Sequence, residues 1–405
     1  MSSSTIVQAA GREVTITNPD KLIFESIGLT KLDLVHYYLT VAAGALRGVE
    51  GRPMVLKRFV KGIDQEAVWQ KRAPSSRPDW IEVAELHYRS GLSAAEVVVR
   101  DAGALAWVVN LGCIDLNPHP VRAEDLERPD ELRIDLDPVP GVSWKQIVDV
   151  ALVAKGVLED HGLIGWPKTS GSRGFHIFTR IDPQWSYRDV RLAAETIARE
   201  VENRAPDLAT SKWWKEERHG VFVDFNQNAK DRTVASGYSV RPTPDARVST
   251  PLSWAEVPDC RPELFTVPTV LKRYADLGDP WQGIETSSDS LEGILDLARR
   301  LGPAQKPPKG TGRRQSTKPL VEIARAKTKD EALAGLERWK ARHPTVVSHL
   351  EPADILVDGM RGRSSLWYRI RVNLQHVPKA ERPVQEPLEV DYDPWVNAPW
   401  PRAGD

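Results

Sequence analysis

The sequence predicts an α/β (α+β) fold, and three observations carry that prediction. Residues 131–138, Glu-Leu-Arg-Ile-Asp-Leu-Asp-Pro, alternate apolar and polar side chains with the period of a half-buried strand. Two stretches, Ser143 to Asp160 and Ser186 to Arg204, space their apolar residues as amphipathic helices do. Strand-like runs from Phe175 and from Val221 separate and follow those helices, so strand and helix alternate up to about residue 300.

A chain of 405 residues has room for two or three domains. The α/β pattern ends near residue 303, and residues 304–319 are rich in Pro, Gly and basic side chains with no apolar period, the composition of a flexible linker. Residues 320–405 then form a C-terminal extension of unknown role. A helix is expected at about Lys329 to Arg342, and a strand after the basic turn at 361–365. The extension reads as too small for much core of its own. A net charge of −1 excludes a global positive field, so any polyanion site must be a local patch. Two cysteines, Cys113 and Cys260, exclude a disulfide framework and a cysteine-rich zinc site. No apolar stretch is long enough to span a bilayer and no signal pattern opens the chain, so a cytoplasmic protein is expected. Several of the 14 tryptophans lie among cations, where they suit packing or base stacking.

Taken in order, Thr30 with Asp33 has the pattern of a helix cap, and Leu34, Tyr37, Tyr38 and Val41 follow at helical spacing. Lys21 and Lys31 bracket that helix start, where backbone N–H groups favour an anion; two surface lysines would look the same. Residues 51–62 read as a strand carrying Lys57, Arg58 and Lys61 into a turn, with Trp69 beyond it. Short strands follow at about 81–86 and 97–99. The apolar run 101–116 reads as a helix, ended by a tight loop at Asn117-Pro118-His119-Pro120.

Chemistry enters at three places. Asp135 and Asp137 share one face of the first predicted strand, and Pro138 suits the strand's end. Paired carboxylates there call for a hard divalent ion, although Asp-x-Asp alone also describes a solvated strand end. The loop Ser170-Gly-Ser-Arg-Gly-Phe-His offers the hydroxyls of Ser170 and Ser172, and Arg173 and His176 for phosphate oxygens. It matches neither a P-loop nor a dinucleotide fingerprint. Asp224 supplies a third carboxylate, followed by Arg232 and by Ser239 and Arg241. Together these features point to a metal-dependent phosphoryl or nucleotidyl transferase.

In this order, DLD at 135–137, SGSRGFH at 170–176 and VFVDFNQN at 221–228 resemble the three motifs of the archaeo-eukaryotic primase superfamily. Residues from about 10 to 300 are similar to the polymerase module of bacterial ligase D and to its stand-alone actinobacterial relatives. The resemblance implies a primase-type catalytic core with an RRM-like sheet flanked by helices, and templated addition of NTPs or dNTPs to a primer. Asp135, Asp137 and Asp224 would hold two Mn²⁺ or Mg²⁺ ions. Lys57, Asn117, Ser170, Ser172, Arg173, His176, Arg232, Ser239 and Arg241 would serve the nucleotide. Asn117 stands where the family places a histidine, a departure that bears on the implied ribonucleotide preference. Asn18, Lys21 and Lys31 match a pocket for the 5′-phosphate of a downstream strand, and Trp69 a base-stacking aromatic. Gapped, primer-template or broken-ended DNA would be the partner of a monomer, in gap filling or end joining. Joining would call on a separate ligase and end-binding protein. The competing readings are a non-catalytic nucleic-acid binder and a metal-dependent phosphohydrolase or nuclease.

Overall fold

A computed structural model describes residues 3–88, 90–303, 316–361 and 366–394. Most of the predicted linker (304–315) and the basic turn (362–365) lie outside the described residues. The chain divides into two compact units, one of residues 1–138, 142–211 and 220–304, the other of residues 139–141, 212–219 and 305–405.

The larger unit opens with two hairpins, β1 (Ser4–Ala9) with β2 (Arg12–Thr17) and β3 (Leu22–Phe24) with β4 (Leu29–Thr30). Helix α1 (Lys31–Thr40) starts where the sequence places it. The Thr30 hydroxyl accepts from the Asp33 N–H, and the Asp33 carboxylate accepts from the Thr30 N–H in return. After α2 (Ala42–Val49), a sheet forms from β5 (Pro53–Arg58), β6 (Val68–Gln70), β7 (Glu82–His87) and β8 (Ser93–Val98).

The predicted helix 101–116 is shorter than its apolar run. Helix α3 (Ala102–Asn110) stops, Gly112 turns at φ +82°, and β9 (Asp115–Pro118) pairs with β5. A fully buried run lacks the periodicity that separates helix from strand, which is why the second half was misread. The Gly112 turn passes within 3.5 Å of the Phe59 backbone measured from where a Cβ would stand, leaving little room for a side chain. Asn117 and Pro118 therefore belong to a strand, and the loop begins after them.

The central sheet and its helices follow as β10 (Glu131–Pro138), α4 (Trp144–Asp160), β11 (Trp166–Thr169), β12 (Phe175–Arg180), α5 (Tyr187–Arg204), β13 (Ala209–Thr210) and β14 (Val221–Asp224). Their sheet runs β11-β12-β10-β14-β13. Leaving aside short β13, this is the βαββαβ chain path of the split-βαβ class, with the expected RRM-like strand order. Strand β10 is central and antiparallel to both neighbours. Its Leu132, Ile134 and Leu136 are buried in the core shared with α4 and α5, whose predicted apolar stripes are buried from Ile147 to Leu158 and from Val190 to Val201. Helices α6 (Val267–Leu277) and α7 (Glu292–Leu301) complete the unit. On the other face of β10, Glu131 joins Arg52, Arg133 and Arg180 in a buried charge cluster.

The smaller unit holds β15 (Leu320–Ala326), α8 (Lys329–Arg342), α9 (Pro344–Val347), β16 (Ile355–Arg361) and β17 (Leu366–Asn373), with an antiparallel sheet in the order β15-β17-β16. Contrary to expectation it has its own core, in which Val321, Ile323, Leu336, Trp339, Ile370 and Val372 are buried together. Trp339 and the apolar side of α8 packed against three strands suffice where a simple length estimate did not. Among the described residues no helix is long and apolar enough to cross a membrane.

Candidate active site

The site is built from two in-register rows of side chains, one on each sheet. Directly opposed residues of paired strands project to the same face. On the central sheet, Lys168 of β11 lies opposite His176 of β12, His176 opposite Asp135 of β10, and Asp135 opposite Asp224 of β14. Asp137, two residues along β10, shares that face and sits opposite Phe222. On the second sheet, Trp69 of β6 lies opposite Lys57 of β5, and Lys57 opposite Asp115 of β9.

Close polar contacts run along the first row. Lys168 Nζ is 2.7 Å from His176 Nδ1, and His176 Nε2 is 3.2 Å from Asp135 Oδ1. The amide nitrogen of Gln227 donates to both Asp135 Oδ2 (3.3 Å) and Asp224 Oδ2 (3.1 Å), spanning the two carboxylates. Burial pushes the Asp135 carboxyl up to about 6 even though Lys168, Gln227 and Arg241 favour its ionised form. Burial, reinforced by Lys168 and Arg241, likewise holds the His176 imidazole well below the usual histidine range.

Along the second row, Lys57 Nζ and Arg241 NH1 each lie 2.7 Å from a different oxygen of Asp115. Asp115 is fully buried; burial opposes its charge, but Arg241 and Lys57 hold the carboxyl below the usual range. The Lys57 ammonium stands 5.3 Å from the ring centroid of Trp69, which is 55% exposed and so presents a free aromatic face.

Between the rows lies a cleft of about 270 Å³. Asp135 and Asp137 line it, with Lys57, Trp69 and Asn117 from the second sheet. Ser170, Ser172, Arg173, His176 and Arg241 line it as well. The Ser170 hydroxyl accepts from the N–H groups of Ser172 (3.1 Å) and Gly174 (3.0 Å), so this serine shapes the loop. Gly171 has φ +67°, and a Cβ there would stand 2.4 Å from Arg241 Cγ and 2.8 Å from the Ser249 nitrogen. Only glycine lets the loop close over Arg241.

Two predicted nucleotide contacts are not brought to the cleft. Ser239 is fully buried, and its hydroxyl bonds the backbone N–H and C=O of Leu116, which ties it to β9 instead. Arg232 is not among the cleft-lining residues, where its neighbours Thr233, Val234 and Ala235 are. Asn18, Lys21 and Lys31 gather at a second place, around the β2–β3 turn and the α1 start. Asn18 takes φ +47°, the Lys21 N–H donates to its carbonyl, and the Lys31 N–H donates to that of Lys21. Lys31 is 7% exposed, with its ammonium on the Thr17 carbonyl. Burial, then Lys21 and Arg58, lower its pKa, as expected of a half-buried ammonium among neighbouring cations.

Sequence reasoning gave no role to Lys168, Asp115 or Gln227. Gln227 stood in plain view inside the third motif. Asp115 was hidden in the misread helix.

The carboxylate set fits a hard divalent cation in kind, since all donors are oxygens and Asp135 and Asp224 are in register. Among the described residues no three His, Cys, Asp or Glu side chains are already gathered as a complete ion site. Asp137 sits one pleat repeat along, and the Gln227 amide stands between the other two.

A sequence model of the family described as "LigD, primase-polymerase domain" matches residues 30–281. The multifunctional non-homologous end joining DNA repair protein LigD of Mycobacterium tuberculosis (strain H37Rv) is 31% identical over 366 residues, covering 86% of this chain and 46% of that protein. The bifunctional LigD of Bacillus subtilis is 29% identical over 272 residues, covering 66% of this chain and 44% of that protein. The chain thus spans less than half the length of these curated relatives. The solved polymerase domain of M. tuberculosis ligase D in complex with DNA superposes with a TM-score of 0.64 at 33% identity, covering 68% of this chain and 99% of that domain. With its sequence and fold both in agreement, the chain belongs to the LigD primase-polymerase family of nucleotidyltransferases.

Proposed function

We propose that this protein adds nucleotides, with a preference for ribonucleotides, to a primer 3′-hydroxyl on gapped or broken DNA, in repair by gap filling or end joining. The observation that carries the proposal is the Asp135 and Asp137 carboxylates facing the Lys57, Arg173 and Arg241 cations across one cleft, with Asp224 in register beside Asp135. Asp135, Asp137 and Asp224 would hold two Mg²⁺ or Mn²⁺ ions, which when bound activate the attacking hydroxyl and neutralise the leaving pyrophosphate. Arg173, Arg241, Lys57 and His176 bind and orient the triphosphate, and fixed cations suit charge that develops during phosphoryl transfer. Trp69 offers a stacking platform, and Lys21, Lys31 and Asn18 take the 5′-phosphate beyond the gap. Template pairing, not protein contact, then reads sequence. A ligase and an end-binding protein would complete the joining.

The test is primer extension on a gapped duplex, with NTP and dNTP compared in Mn²⁺ and in Mg²⁺. Templated extension is expected, falling when the 5′-phosphate is removed and equally with Lys21→Ala on the phosphorylated gap. No extension with any metal would sink the polymerase reading. Nucleotide release from DNA without added triphosphate would favour a nuclease.

A second expectation concerns Asp115. Asp115→Asn leaves two cations facing each other without their common anion, which should cost on the order of 2–3 kcal/mol, below the fully buried case because Lys57 and Arg241 are partly exposed. A triphosphate restores negative charge there. Thermal melts with and without nucleotide should therefore show a lower melting point and a larger nucleotide-induced rise than in the unsubstituted protein.

A further inference from the structure

Lys168 is completely buried, does not line the cleft, and touches the one histidine that does. The direction of every hydrogen bond around it follows from the two ends of the chain of contacts. Ser249 Oγ lies 2.9 Å from the Thr169 carbonyl, which can only accept, so the single hydroxyl proton is spent there. Ser249 Oγ must then accept from Lys168 Nζ at 2.6 Å. At the other end, His176 Nε2 stands 3.2 Å from the Asp135 carboxylate oxygen Oδ1, a neighbour that favours a proton on Nε2. A proton on Nδ1 as well would point at Lys168 Nζ across 2.7 Å, so Nδ1 is left as an acceptor. Lysine has two N–H donors even as a neutral amine, enough for Ser249 and His176 together.

From this geometry we propose that Lys168 is a positioning residue that locks His176 in its Nε2–H tautomer and aims that N–H into the cleft. The proposal deepens the polymerase reading and rests on it for its purpose. Asp135 also favours the same tautomer, but in that reading its carboxylate is engaged by the metal ions during the reaction. Lys168 then remains as the group that keeps Nε2 a donor toward the triphosphate. It does so from beside His176 on the same face of the sheet, through a row of side chains whose register is set by backbone pairing.

Long-range ¹H–¹⁵N correlation spectra of histidine-labelled protein read the tautomer without any need for activity. His176 is expected as the pure Nε2–H form in the Asp135→Ala variant, and as a mixture containing the Nδ1–H form once Lys168→Met is added. Ser249→Ala in the Asp135→Ala background should leave the tautomer unchanged, since the Lys168–His176 contact survives. A mixed tautomer with Asp135→Ala alone, or no change on adding Lys168→Met, would overturn the proposal. In the otherwise native chain, Lys168→Met should lower kcat/KM for the nucleotide about ten- to a hundredfold, the range seen when the partner fixing a histidine is lost. DNA affinity should stay unchanged, which separates this effect from misfolding. If the tautomer result holds and the native protein extends no primer, the polymerase reading fails alone.

Discussion

Asp137→Ala is expected to lower primer extension by about 10³-fold or more while binding of gapped DNA without nucleotide persists. Metal-assisted charge stabilisation contributes several kcal/mol to a transfer of this kind, and 4 kcal/mol corresponds to about three powers of ten in rate. Asp137 makes a cleaner test than Asp135. It is the exposed carboxylate at the rim of β10, whereas Asp135 is enclosed in the row beside His176 and Gln227. Extension assays under single-turnover conditions, with DNA affinity measured in parallel, decide the matter. Retained extension would remove Asp137 from the catalytic set.

Glu131→Gln is expected to destabilise the larger unit by roughly 3–5 kcal/mol, the usual penalty for stripping one partner from a buried ionic cluster. Glu131 is 1% exposed and is shared by Arg133 (2.7 Å), Arg52 (3.7 Å) and Arg180, of which Arg52 and Arg133 are fully buried. Both terminal nitrogens of Arg133 already lack partners, so little is available to replace the lost charge. Burial alone would raise the Glu131 carboxyl, but Arg133, Arg52 and Arg180 hold it down to about 2. Its folded-state pKa is therefore lower than the unfolded one, so its stabilisation is complete above about pH 4.5 and drains away as pH falls toward 2. Asp130, held below the usual carboxylate range against burial by Arg52, Arg180 and Arg122, adds to the same acid limb. Urea midpoints across this range should show the native protein and the Glu131→Gln variant far apart at pH 7 and converging below pH 4. A constant gap at all pH values would rule out the ionic origin.

The fold was most legible where the two faces of an element differ in polarity. Strand β10 alternates because only its leucine and isoleucine side faces the helices, and α1, α4 and α5 announce themselves by stripes and caps. Legibility failed where burial is complete. Helix α3 and β9 merge into one apolar run, and Asp115 hid there as an odd polar residue. The three aspartates and the Ser-Gly loop were readable because each lies within a short motif. Their arrangement was not, because the row from Lys168 to Asp224 is assembled by strand pairing between distant segments. Ser239 shows the converse case. Arg241, two residues on, reaches the cleft, but the Ser239 side chain turns to β9.

The two rows also bear on how such a protein can change over time. Each candidate site residue of β10, β12 and β14 owes its direction to an even or odd position in a strand paired on both sides. Substitutions can therefore accumulate through β10, β12 and β14 so long as each position keeps its kind. A one-residue insertion or deletion inside β10 is another matter, since it would send Asp135 and Asp137 into the helix-covered core in a single step. Length variation should accordingly be confined to the segments between the strands, such as 119–130 and 229–237, and be absent within them. Lineages of this enzyme should differ widely in letters and hardly at all in spacing inside the strands.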